Sequence, residues 1–91
     1  MIYMKVQWKH SFSNEPVIIY SELNEDRNEI KKVEIYRDGM MGYACQDVSV
    51  NGSALSECEI PELSEINADP QFEGIEIHKE EFEAIWKKAA K

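Results

Sequence analysis

Lys31-Lys32-Val33-Glu34-Ile35-Tyr36-Arg37-Asp38-Gly39-Met40-Met41-Gly42-Tyr43-Ala44-Cys45 is the stretch on which the fold turns. Val33, Ile35 and Tyr36 favour extended backbone, because β-branched and aromatic side chains pack well on a pleated surface. Asp38-Gly39 supplies two adjacent residues that tolerate positive φ, which predicts a type I′ turn between two strands. Beyond the turn, Met41, Tyr43 and Cys45 share one face, while Met40, Gly42 and Ala44 share the other. The resulting hairpin is a template on which the segments before and after it can lay further strands.

Working back towards the start, Ile2, Met4, Val6 and Trp8 alternate with Tyr3, Lys5, Gln7 and Lys9, the period of a strand with one buried face. Ser11-Phe12-Ser13-Asn14-Glu15-Pro16 is a turn-rich connection. Val17 to Leu23 follows as a second strand, whose near-continuous apolar start suits a central position. These two pair as an antiparallel hairpin. Asn24 to Glu29 is polar throughout and reads as an exposed loop before the third strand, Ile30 to Arg37; the fourth runs Met40 to Cys45. Short links between four consecutive strands predict a meander.

Working forward, Asn51-Gly52 is a second turn signal, expected to join Asp47–Val50 to Ser53–Leu55 as a small rim hairpin. Between Ile60 and Pro70 there is room for one helical turn with Leu63 and Ile66 on a common face, and Pro70 bars Asp69 from helical geometry. Phe72 to Ile77 reads as extended. Phe82, Ile85, Trp86 and Ala89 then recur at helical spacing and predict a helix laid on the sheet. His78 as N-cap would put Glu81 at the third helical position for a capping box, and Ile77 against Phe82 as a hydrophobic staple. Glu80, Glu81 and Glu83 stand near the positive end of the helix dipole, Lys87 and Lys88 near the negative end. Burial of Phe82, Ile85 and Trp86 is expected to contribute about 5–8 kcal/mol before entropy, with Trp86→Ala expected to come close to unfolding the domain. The fold class is therefore α+β: an antiparallel meander of four or more strands with one C-terminal helix on a face, forming a single domain over residues 1–91.

Ninety-one residues support one core. No run approaches the roughly 20 apolar residues of a membrane span, and the alternating start lacks the apolar centre of a secretory signal. A cytoplasmic chain is expected, with Cys45 and Cys58 as free thiols. The net charge of −8 is concentrated: ten carboxylates and one lysine fall between residues 57 and 83. Such a field repels phosphate, which argues against direct nucleic-acid or membrane-surface binding, and attracts a basic protein.

Chemistry is hard to find. His10, His78, Cys45 and Cys58 show no metal-ligand spacing. There is no nucleophile elbow, phosphate-cradling loop or dinucleotide fingerprint. Neither catalysis nor a cofactor is expected. Lys5, Lys9, Lys31, Lys32 and Arg37 among the aromatic residues could form a local basic platform for single strands, though the net field opposes it.

One resemblance spans nearly the whole chain. It is carried by Met4-Lys5-Val6-Gln7-Trp8-Lys9-His10, by Glu15 to Leu23, by Lys31 to Gly39 with Gly42-Tyr43-Ala44, and by Ile60-Pro61. It continues through Glu65-Ile66-Asn67-Ala68-Asp69-Pro70, Phe72 and Glu81-Phe82-Glu83 with Trp86. This pattern resembles a family of small uncharacterised bacterial proteins from toxin-immunity neighbourhoods. The resemblance implies an immunity protein for a contact-dependent growth-inhibition or polymorphic toxin, and it brings no catalytic residues. Such toxins often end in basic nuclease domains, which an acidic protein can occlude. Glu57, Glu59, Glu62, Glu65, Asp69 and Glu73 are the expected toxin-binding face, on a monomer with a cognate toxin domain as partner. The alternative is a small regulatory or ligand-binding domain whose acidic face serves solubility alone.

Overall fold

The computed structural model describes residues 1–90. Six strands form one antiparallel sheet: β1 (Ile2–Trp8), β2 (Ile18–Leu23), β3 (Glu29–Ile35), β4 (Met41–Cys45), β5 (Val48–Val50) and β6 (Phe72–Glu76). A single helical turn, α1 (Leu63–Ile66), precedes β6, and the helix α2 (Lys79–Ala89) closes the chain. The sheet order is β5-β4-β3-β2-β1-β6. Strands β1 to β5 are thus a meander, and β6 returns to pair with β1 on its free side.

The deciding hairpin forms, with Ile35 opposite Met41 and Val33 opposite Tyr43, but its turn is not type I′. Gly39 alone has positive φ (91°), and Asp38 does not. Tyr36 N–H donates to Met40 C=O and Gly39 N–H to Tyr36 C=O, leaving Arg37-Asp38-Gly39 as a three-residue loop. That is the type I turn followed by a left-handed glycine, the second common way to close a hairpin. Asp38 Oδ1 accepts from Met40 N–H at 3.0 Å, so Asp38 serves the loop through its carboxylate and not through left-handed backbone.

The rim hairpin also differs from expectation. Val48–Val50 pairs backwards with β4, Cys45 opposite Val48, through the turn Gln46-Asp47, where Asp47 takes φ 74°. Without a glycine that turn leaves little trace in the sequence. Asn51-Gly52 does turn, with both φ values positive, but it leads out of the sheet and Ser53–Leu55 is not a strand.

Both faces of the sheet are covered. On one side α2 buries Phe82 among Tyr3, Tyr20, Val33 and Ile77; the Tyr3 and Phe82 rings lie 5.6 Å apart. On the other, α1 packs Leu63 and Ile66 against Met4, Val6 and Leu23. β1 is therefore buried on both faces at Tyr3 and Met4, where alternation alone suggested one. At the start of α2, Ile77 and Phe82 share the core as the staple requires. His78 is the N-cap, but no side-chain capping bond forms there, and Glu81 N–H takes the His78 carbonyl instead. On this face Lys5 and Lys31 sit over the Tyr20 and Trp86 rings, 5.7 Å and 5.0 Å from the centroids.

Tyr3 stands directly opposite Glu22. Hydrogen bonding to the Glu22 carboxylate, then burial, then the charges of Glu22, Glu83 and Glu80 push its phenol up to about 12 from 10.0. The folded chain thus holds this proton more tightly than the unfolded one. The corresponding stability is intact below about pH 10 and fades as pH rises through 12. Wild type is therefore expected to lose more stability than Tyr3→Phe across that interval in alkaline denaturation. Parallel curves would show that Tyr3 does not couple to folding.

Candidate functional site

From Asn51 to Glu62 the chain crosses the α1-side face of the sheet with no regular structure, so its backbone needs partners from elsewhere. Polar side chains of β3 and the loop before it supply them. Lys32 Nζ donates to Ala54 C=O at 3.0 Å. Glu29 Oε1 accepts from Ser56 N–H at 2.9 Å, and its Oε2 from the Ser21 hydroxyl at 2.7 Å. Ser53 Oγ donates to Glu34 at 2.6 Å. It rests over Gly42, where a Cβ would collide with that oxygen and come within 2.9 Å of the Val50 carbonyl.

Glu29 and Lys32 also form an ion pair at 3.2 Å, with side-chain exposures of 1% and 15%. A buried carboxylate is costly unless paired and hydrogen-bonded, and this one is both. The Asn24–Glu29 stretch is thus not simply an exposed loop. Its last residue opens β3 inside the molecule. Arg27, at φ 65°, turns back to donate to the Ile60 and Pro61 carbonyls, and its own carbonyl accepts Ile60 N–H.

With α1 covering β1 and β6, and the 53–62 segment crossing β3 and β4, a groove of about 490 Å³ remains between them. Met4, Val6, Ile19 and Ser21 lie along its base. Ile60, Pro61, Ile66 and Phe72 form apolar walls, and Glu65 and Asp69 also line it.

The six carboxylates expected to form one face are not all together. Glu57, Glu59, Glu65 and Asp69 are exposed and, among the described residues, none is in an ion pair with a base of its own chain. Glu62 is paired with Arg27 at 3.4 Å and Glu73 with Lys9 at 3.7 Å. Glu73, opposite Gln7, also points to the α2 side of the sheet, away from the groove. The exposed carboxylates without an ion pair among the described residues are therefore Glu57, Glu59, Glu65 and Asp69, of which Glu65 and Asp69 share the groove.

An aromatic cluster that the sequence did not announce flanks one end of the groove. Trp8 stacks on Phe72 at 6.0 Å and leans on His10 at 4.3 Å, while His10 stacks on Phe12 at 5.3 Å. His10 is fixed between the Pro16 carbonyl, 2.8 Å from Nε2, and Phe12 N–H, which donates to Nδ1 at 3.0 Å. Phe12 is left 59% exposed. A separate cleft of about 760 Å³ lies between residues 13–16 and the β3–β4 hairpin. There burial, with Glu34 and Glu15 nearby, pushes the Tyr36 phenol up.

Cys45 and Cys58 are free thiols. Among the described residues no three His, Cys, Asp or Glu side chains converge as a metal site, and no helix is long and apolar enough to cross a membrane. A family model described as a domain of unknown function (DUF6881) matches residues 2–91. No curated protein and no solved structure matches the chain.

Proposed function

We propose that this chain, which belongs to the DUF6881 family, is a cytoplasmic immunity protein that neutralises a cognate toxin domain. The toxin of a contact-dependent or polymorphic system, a basic nuclease on this reading, is blocked by occupation of its cleft. The protein performs no chemistry on it.

One observation carries the proposal. Four carboxylates between residues 57 and 69 stand exposed without an ion pair among the described residues, on a segment that buried side chains hold in place. A pre-ordered negative surface spends little entropy on binding, and opposed charge speeds encounter with a basic partner. Phe72 and the exposed Phe12, each against Trp8, supply aromatic contact area of the kind that sets residence time.

The decisive experiment is co-expression with the product of the adjacent open reading frame: rescue from lethality supports the proposal, and a neighbour that is harmless alone, or whose toxicity is unrelieved, overturns it. Reversing Glu57, Glu65 and Asp69 to lysine together is expected to slow association by about 10–100-fold at low salt, with the difference shrinking as salt rises. Reversal of Glu73 should matter less, since Lys9 already answers it. If the triple reversal leaves binding rates unchanged, the interface lies elsewhere. A regulatory or ligand-binding domain without a toxin partner becomes the reading to adopt if no neighbouring toxin is bound.

A further inference from the structure

The groove over β2 differs from the rest of the acidic surface because its base is apolar. Ile19 faces into it beside Val6 and belongs to neither packed cluster of the interior. The sheet thus leaves the Ile19 side chain half-covered at the groove. Phe72 forms part of the wall.

Four charged residues line the groove, three acids and one base. Lys32 is committed to Glu29, Glu34 and the Ala54 carbonyl. Glu29 in turn has both oxygens engaged. Asp69 gives one oxygen to Gln71 N–H, which leaves its other oxygen and the Glu65 carboxylate for a cation from outside.

Resting on the immunity reading, we propose that this groove seats an arginine side chain presented by the toxin domain. The methylene stem would lie along Ile19 and Val6, as long basic side chains do on apolar surface. The guanidinium would stack on Phe72 and donate to Glu65 and Asp69. Arginine fits better than lysine, because a planar, weakly hydrated fork can stack and bridge two carboxylates together. The volume of about 490 Å³ lies within the roughly 300–1,000 Å³ typical of ligand sites.

Two measurements test this separately from the function. Isotope-labelled protein is titrated with n-butylguanidinium and, in parallel, with n-butanol. Saturable amide shifts at Ile19, Ser21, Glu65 and Asp69 are expected with the guanidinium alone, and they should vanish in Glu65→Gln/Asp69→Asn. Equal shifts with both probes would mean an apolar ligand site and overturn the arginine assignment, as would no shift with either.

The second measurement binds the neighbouring toxin domain to Ile19→Arg, which fills the groove with a cation of its own, or to Ile19→Ser should the first fail to fold. Affinity is expected to fall by about 100-fold for Ile19→Arg, mainly through faster dissociation, and by a smaller factor for Ile19→Ser. If wild type binds and either folded variant binds equally well, the groove is not the seat, and the immunity reading survives. If wild type does not bind, that reading fails, and the butylguanidinium titration still decides whether the groove takes a guanidinium.

Discussion

Phe82→Ala is expected to lower stability by about 3–5 kcal/mol and the melting temperature by roughly 15–30 °C. Phe82 is 2% exposed and is the one fully buried residue of α2, set between the Tyr3 and Trp86 rings at 5.6 Å and 6.3 Å. Its removal leaves a cavity where the helix meets the sheet, and neither neighbour can collapse into it without leaving its own contacts. Trp86, the larger residue and the one that size alone marks as the anchor, is only half-buried. It touches Tyr43 edge-on at 5.4 Å and lies under Lys31. Trp86→Ala should therefore cost less, about 1–3 kcal/mol. Thermal denaturation of the two variants side by side checks the order. A larger loss at Trp86 would mean that the exposed edge of the helix contact carries its strength.

Glu29→Ala is the second large effect, expected at about 3–5 kcal/mol, as when one partner of a buried ion pair is removed. The Ser21 hydroxyl and Ser56 N–H both lose their acceptor; Ser21 is buried, and an unpartnered buried group costs about 1–3 kcal/mol. The damage should also be local. Ser56 and its neighbours lose a tie to β3, so amide hydrogen exchange at Ser56 is expected to quicken more than at Val33 in the sheet. Glu29→Gln keeps an acceptor for one of the two donors and should fall between. If Glu29→Ala melts like wild type, the 51–62 segment is held by Arg27 and Ser53 without it.

The sheet and the closing helix could be read from the chain because each rests on a repeating pattern. Alternation marks β1, and spacing together with end charges marks α2, whose apolar stripe meets β1 to β4. Features without a period were hidden. Gln46-Asp47 turns without glycine, so nothing local shows that Val48–Val50 pairs with β4 and not with Ser53–Leu55. Glu29 follows five polar residues, and nothing local distinguishes a buried carboxylate from a solvated one; its donors arrive from residues 21 and 56. For the same reason the six expected contact residues separated once folded. Glu73 crossed to the other face through strand alternation, and Glu62 met an arginine 35 positions earlier. The aromatic cluster joins Trp8 and His10 to Phe72 across a chain distance that no local pattern spans.

Asn67 bears on how these molecules behave at high concentration. Its side-chain amide donates to the Gly74 carbonyl at 3.0 Å and accepts Gly74 N–H at 2.6 Å, so it fills one rung on the outer side of β6. On the α1 face of that rung Leu63 packs so close that a Cβ on Gly74 would approach it to 2.8 Å. A neighbouring molecule seeking to lengthen the sheet would first have to evict this amide, then find a register along a strand of five residues. The opposite border is only three residues long. End-to-end polymerisation through main-chain pairing is thus obstructed at one border and starved of length at the other.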